Sequence, residues 1–199
     1  MSLILVGLQD LLEKYTIEQV KSTLLRFKSI PHQSGEINDV ECFLHSKAIQ
    51  FENMTLSTTY LVFDEIDGEF MLVGYFSIAN KPLTMSKKNF NKLSNNQKRN
   101  LTKSGTRTES GDYIINSYLI GQIGKNFAPE AAASNVTGTD ILKEAYKMVL
   151  KAKKIINARY VWLECEDNCK ILNFYKKFGF YEVDGYISGN GLRVMIMKL

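Results

Sequence analysis

The sequence predicts a mixed α/β (α+β) fold: a central, mainly antiparallel sheet flanked by helices. Three observations predict it. Two runs of strand formers, residues 58–63 and 70–78, are joined through Asp67-Gly68, a tight-hairpin signal. Residues 139–156 place Ile141, Leu142, Ala145, Met148, Val149, Ala152, Ile155 and Ile156 on one stripe at helical spacing, with Lys143, Glu144, Lys147, Lys151 and Lys154 opposite. After that helix the pattern runs strand (160–165), short helix (169–177) and two strands (181–186 and 192–197) about Ser188-Gly189-Asn190-Gly191.

A chain of 199 residues suits one domain, residues 1–199. Its hydrophobic content of 45%, with 11 Phe and 10 Tyr, can fill a core, and 23% charged residues is too few for wholesale disorder. The net charge of +4 does not by itself indicate nucleic acid. Its distribution is uneven, because residues 70–108 contain no acid but eight bases: Lys81, Lys87, Lys88, Lys92, Lys98, Arg99, Lys103 and Arg107. Cys42, Cys165 and Cys169 are an odd, sparse set that argues against a disulfide scaffold and fits a reducing compartment. The apolar run near the N-terminus lacks a basic flank and is too short for a signal peptide or a membrane span. A soluble, cytoplasmic protein without a membrane partner is expected.

The elements follow in order. Residues 7–29 read as two helical stretches, one marked by Leu8, Leu11 and Leu12. The other is marked by Val20, Leu24, Leu25 and Phe27, with Thr16 as its N-cap. Pro31-His32-Gln33-Ser34-Gly35 is a breaker, and a helix over 39–53 follows with Val40, Phe43, Leu44, Ala48 and Phe51 on one face. These N-terminal helices occupy about residues 7–54. After the hairpin, residues 81–111 are polar, basic and weakly periodic; they predict a surface insertion, partly helical over 87–93 and 95–101. Residues 113–124 return to strand character, and 127–137 form a loop or short helix.

Several groups could carry chemistry. Gly138 precedes the long helix within Asn135-Val136-Thr137-Gly138-Thr139-Asp140, and the N–H groups of a first helical turn attract an anion. An ordinary helix cap fits the same residues. Gly121 and Gly124 interrupt the strand before Lys125 and Asn126, marking a bulge, a kink or a close approach by a ligand or another backbone. Glu164 and Glu166 alternate with Cys165, so on one strand both carboxylates share a face and either could accept a proton. Tyr175 could donate a proton or simply pack under the strand. No metal site is expected: Cys165-x3-Cys169 lacks a second ligand pair, and His32 and His45 are remote in sequence. A cysteine nucleophile would need an adjacent base.

Asn168-x5-Phe174-Tyr175-x2-Phe178-Gly179-Phe180, after a strand, a glycine-led helix and a second strand, resembles the Gcn5-related N-acetyltransferase (GNAT) superfamily. Ile171 stands where that family usually has alanine. The helix containing Phe43-Leu44-x3-Ala48, the strand from Leu56 to Val62 and Val73-Gly74-Tyr75-Phe76 look like the acetyltransferases of bacterial toxin–antitoxin modules and phage relatives. The resemblance covers most of the chain outside 81–111. Two departures stand out. In the phosphate loop, Asn135 and Asp140 hold the outer positions and only Gly138 follows the family pattern. The link from Asn126 to Gly138 is also longer than usual. An acid beside a diphosphate is unfavourable unless it caps the helix and points away.

The resemblance implies a sheet splayed between its fourth and fifth strands, near residues 119–125 and 160–165. It implies acetyl transfer from acetyl-CoA to an amine by direct attack. Ile123, Gly124, Lys125, Val136, Thr137, Gly138, Thr139, Asp140 and Asn168 would bind coenzyme A, Tyr175 would be the acid, and Glu164 or Glu166 the base. Asn168 could instead order the helix that follows it. The acceptor could be a small molecule, a protein amine or an aminoacyl-tRNA. In the last case the protein would be a toxin with an antitoxin partner; a homodimer also fits. A degenerate domain that binds a partner or nucleic acid without catalysis is the remaining alternative. The basic stretch 81–107 could meet RNA phosphates or be a solvated surface.

Overall fold

The computed structural model describes residues 3–31 and 37–199. In chain order the elements are β1 (Ile4–Gly7), α1 (Leu8–Lys14), α2 (Ile17–Leu24), α3 (Asp39–Ser46), α4 (Ala48–Asn53), β2 (Thr58–Ile66), β3 (Glu69–Ala79), β4 (Leu83–Met85), α5 (Lys87–Lys92) and α6 (Asn95–Thr102). They continue with β5 (Gly105–Arg107), β6 (Tyr113–Ile115), β7 (Ser117–Lys125), a 3-10 turn (Pro129–Ala131), α7 (Gly138–Ile155), β8 (Tyr160–Cys165), α8 (Cys169–Phe178), β9 (Tyr181–Ile187) and β10 (Arg193–Lys198). Residues 32–35 of the expected breaker lie outside the described residues.

One seven-stranded sheet has the order β1-β2-β3-β7-β8-β10-β9, and β4-β6-β5 form a second. β1 with β2, β2 with β3, and β8 and β9 with β10 all pair antiparallel. β7 and β8 are parallel, Ser117 opposite Tyr160 and Leu119 opposite Trp162. This is the mixed, mainly antiparallel sheet that the sequence predicts. The chain divides into two compact units, Met1–Ala79 with Gly121–Lys147, and Asn80–Ile120 with Met148–Leu199.

In the first unit the expected hairpin forms, and its turn needs left-handed backbone at Asp67 (φ 52°) and Gly68 (φ 81°). Leu61, Leu72 and Tyr75 face a core with Leu8, Val20, Leu24, Phe27, Phe43, Leu44 and Ala48 from the four N-terminal helices. Thr16 caps α2 in a reciprocal box with Gln19. Leu25, expected on the apolar face, is exposed as the C-cap of that helix. The helix expected over 39–53 is broken at Lys47 into α3 and α4. Ser46 Oγ donates back to the Cys42 carbonyl, a side-chain bond that bends helices, and Lys47 stays in the right-handed region with φ stretched to −118°.

In the second unit residues 83–115 fold around their own apolar positions. Leu83, Met85, Phe90, Leu93, Leu101 and Ile115 are buried with Tyr160, Trp162, Val183, Val194 and Ile196. The strand expected over 113–124 is divided at Asn116, where the chain passes from the small sheet to the large one. Ser117 Oγ holds that step: it accepts from Leu83 N–H at 2.9 Å and donates to the Ile115 carbonyl at 2.9 Å. Ile155 and Ile156, expected on the stripe of the long helix, are 85% and 57% exposed. That helix stops at Ile155, and the Tyr118 hydroxyl takes the Ile156 carbonyl. No helix among the described residues is long and apolar enough to cross a membrane.

Candidate active site

The first unit carries the end of β7 and the start of α7. Asn126, buried directly after β7, is a lock. Its side-chain oxygen accepts from Lys28 N–H (2.8 Å) and Ala128 N–H (2.9 Å), and its amide donates to the carbonyls of Leu72 (2.7 Å) and Arg26 (3.1 Å). All four hydrogen-bonding positions of the amide are thus satisfied in the interior. Gly124 is small for a local reason: a Cβ there would lie 2.6 Å from Val40 Cγ1 and 2.9 Å from Phe27 Cζ. The close approach is therefore made by the protein's own core. Ile123 and Lys125, on either side, are half-buried.

The loop before α7 is tied down by Ser134, whose hydroxyl donates to buried Asp64 at 2.7 Å and accepts from Val136 N–H at 3.2 Å. Val136 is fully buried. Thr137 and Asp140 then close a capping box. Asp140 N–H donates to Thr137 Oγ1 (3.3 Å), while the Asp140 carboxylate accepts from Thr137 N–H (3.0 Å) and from its hydroxyl (2.6 Å). These bonds, and then the Lys143 ammonium at 3.1 Å, hold the Asp140 carboxyl down at about 2. The charge of Asp140 is thereby spent within the helix's own first turn. The N–H groups of Gly138 and Thr139 come next; they lie in the first helical turn, where no carbonyl is in reach along the chain. Two donors at a helix N-terminus suit an anionic oxygen.

The second unit carries β8 and α8. Strand alternation puts Glu164 on the face of Tyr160 and Trp162, and Cys165 on the other. Glu164 lies near Tyr186, whose hydroxyl is pushed up by burial first and then by that carboxylate. Glu166 follows the last residue of β8, so the shared-face argument for the two carboxylates does not apply to it. Asn168 is the N-cap of α8; its side-chain oxygen accepts from Lys170 N–H at 2.9 Å, which is the helix-ordering role. Tyr175 is 7% exposed and meets Phe180 edge-on at 5.8 Å. Burial, and secondarily the nearby Cys165, holds its hydroxyl well above the usual tyrosine range. Cys165 is itself pushed up to about 11, first by burial and then by Glu182, Asp167 and Glu166. A phenol in this setting stays protonated across neutral pH, and so has a proton to donate.

Sequence reasoning did not single out Arg193. Opposite Cys165 in register on β10, it reaches Asp167 at 2.7 Å and Glu182 at 3.1 Å, bracing the turn that leads into α8. Lys176 of α8 approaches Glu182 at 3.6 Å. Only the pairing of β8 with a later strand could have signalled this. No group of three or more His, Cys, Asp or Glu suited to a metal occurs among the described residues.

No family model and no curated protein matches the sequence. Solved structures do match along the whole chain. A tyrosine-to-phenylalanine mutant of KacT superposes with a TM-score of 0.63 at 12% identity, covering 100% of this chain and 95% of the other. AtaT complexed with acetyl-methionyl-tRNAfMet gives 0.62 at 14% identity, covering 99% and 95%. AtaTR bound with AcCoA gives 0.57 at 14% identity, covering 98% and 92%. At these identities the likeness establishes the fold. This chain has the GNAT-like fold. The likeness covers 98–100% of this chain in these three structures.

Proposed function

We propose that this protein is an acetyl-CoA-dependent N-acetyltransferase that moves an acetyl group to an amine by direct attack. The observation that carries the reading is the full-length likeness to AtaT and KacT structures, one of them bound with AcCoA and one complexed with acetyl-methionyl-tRNAfMet. The residues present fit coenzyme A. The first turn of α7 offers the N–H groups of Gly138 and Thr139 to phosphate oxygens, and the capping box turns Asp140 away from them. Acetyl-CoA supplies an activated acyl thioester.

The chain's residues would do the rest. Backbone N–H groups at Ile123 and Gly124 would take up charge developing on the carbonyl oxygen. The hydroxyl of Tyr175 would protonate the departing sulfur. The proton lost by the amine would pass to Glu164 or Glu166, directly or through water. Lys125, Val136 and Thr137 would shape the backbone beside the cofactor, and Asn168 would orient α8 so that Tyr175 is held in place.

A second reading is favoured by the acetyl-methionyl-tRNAfMet complex and by AtaT structures bound to the C-terminus of antitoxin AtaR. In it the amine belongs to an aminoacyl-tRNA, and the protein is a toxin neutralised by an antitoxin. Calorimetric titration with acetyl-CoA tests the shared step: micromolar binding is expected, with loss on Gly138→Glu. Absence of binding to the wild-type chain would sink both readings. Growth arrest on expression, relieved by Tyr175→Phe, separates the toxin from an enzyme acting on small molecules or proteins; unimpeded growth would remove the toxin.

A further inference from the structure

β3 lies between β2 and β7 in the large sheet, and it is irregular at one point. Val62 of β2 faces Gly74, but the next residue, Phe63, faces Leu72, so Val73 is an extra residue in β3. A bulge of this kind disturbs the ladder and re-aims the groups beside it. Here the carbonyls of Leu72 and Val73 both go to one residue. Asn126, directly after β7, donates its main-chain N–H to Val73 at 2.8 Å and its side-chain amide to Leu72 at 2.7 Å. The end of β7 is thus tied to the bulge.

Gly74, the residue after the bulge, meets both parts of the proposed coenzyme A site, and all of these groups belong to the first unit. A Cβ on Gly74 would stand 2.7 Å from the Gly124 carbonyl oxygen, 2.3 Å from Ile141 Cδ1 and 3.1 Å from Ile141 Cγ1. The first two are shorter than van der Waals contact allows. Gly124 carries one of the N–H groups proposed for the thioester oxygen. Ile141 closes the first turn of α7, its N–H donating to the Thr137 carbonyl at 3.3 Å, directly after the Gly138 and Thr139 donors proposed for phosphate. Ile141 is also fully buried, so the start of α7 cannot move without repacking it. Contact with one neighbour would explain a glycine by packing alone. Contact with both makes residue 74 a spacer between them.

We infer that Gly74 is a positioning residue for the proposed transfer: by offering no side chain, it sets the distance between the end of β7 and the start of α7. The inference rests on the acetyl-CoA reading. Acetyl-CoA carries its thioester at one end of a pantetheine arm and its diphosphate at the other, so its affinity combines two anchored ends. A change in their separation weakens the whole without weakening either end alone.

The test compares two ligands by calorimetry: acetyl-CoA, which spans both ends, and 3′-phospho-ADP, which is coenzyme A without the pantetheine arm. In Gly74→Ala, acetyl-CoA should bind about tenfold more weakly, while the fragment should stay within about twofold of its wild-type affinity. A general loss of packing has no reason to distinguish the two ligands. The variant Gly74→Ala/Ile141→Val removes Cδ1 and with it the 2.3 Å contact, so it recovers stability and serves where the single variant does not fold. It should keep the acetyl-CoA loss, because the Gly124 oxygen is main chain and still has to move. Wild-type affinity for acetyl-CoA in either folded variant, or equal losses for the two ligands, would overturn the inference. A wild-type chain that binds neither ligand would instead remove the acetyl-CoA reading itself, and Gly74 would be left as a packing position.

Discussion

The start of α7 and the start of α8 are both helix N-termini that the sequence marks as functional, yet they are built by different means. At α7 the supports are hydrogen bonds and packing: Asn126 with four hydrogen bonds, Gly124 under Phe27 and Val40, Ser134 on Asp64, and a Thr137–Asp140 box. They fix the backbone and leave two N–H groups to offer. At α8 a single asparagine caps the helix, an arginine with two carboxylates braces the turn before it, and Tyr175 contributes a buried phenol. In the proposed reaction the first region would hold an anion with its main chain, and the second would keep a proton on a side chain. Substitutions should divide accordingly: those near α7 alter stability and cofactor affinity, while Tyr175 alters the rate of transfer.

The largest effect is expected at Tyr175. Tyr175→Phe removes one hydroxyl and keeps the ring that meets Phe180, so the fold and acetyl-CoA affinity should hold while kcat falls by about 10²–10⁴-fold. Because burial raises this hydroxyl, the wild-type rate should show no loss from tyrosine ionisation up to about pH 10. Stopped acetyl transfer with unchanged calorimetric binding would sharpen the division; a matching loss of binding would break it.

Next comes Asn126→Ala. It strands the N–H groups of Lys28 and Ala128 and the carbonyls of Leu72 and Arg26 in the interior, and should cost about 3 kcal/mol in urea unfolding. Gly124→Ala follows at about 2 kcal/mol, because the new methyl must displace Phe27 and Val40. Gly189→Ala, with nothing within 4 Å, is its control and should be near neutral. If Gly124→Ala kept full stability but lost acetyl-CoA, the glycine would belong to the ligand and not to the core.

Much of this arrangement is legible in the sequence, and what is missed is missed for one physical reason. The hairpin through Asp67-Gly68, the stripe on α7 as far as Ala152 and the strand–helix–hairpin ending depend on neighbours within a few residues, and they form as read. Thr137-Gly138-Thr139-Asp140 also carries its capping box locally. Asn126 does not: three of its four partners are 98, 100 and 54 positions away, so most of its role is absent from any window around it. Arg193, 26 residues from Asp167, is hidden in the same way. The 81–111 stretch reads as polar because its buried positions, Leu83, Met85, Phe90, Leu93 and Leu101, are too widely spaced to make a local stripe. Lys47 breaks a continuous apolar pattern through a bond that Ser46 makes to the backbone of Cys42.

The smallest expected effect tests the α7 start from the inside. The Asp140 carboxyl lies at about 2, held first by the Thr137 hydroxyl, then by its N–H and by Lys143. A group whose pKa is lower folded than unfolded contributes stability above its unfolded value and loses it as pH falls through the folded one. The contribution should therefore be complete above about pH 4 and fade towards pH 2. Asp140 is about one-third exposed, and solvent screening keeps the effect below about 1 kcal/mol. Asp140→Asn should be less stable than wild type near neutral pH, and the gap should close across that acid window in paired thermal melts. A gap that persisted unchanged into acid would mean that the charge of Asp140 does not hold the box. The first turn of α7 would then be shaped by Thr137 and the buried loop before it, with the aspartate free to confront an approaching phosphate.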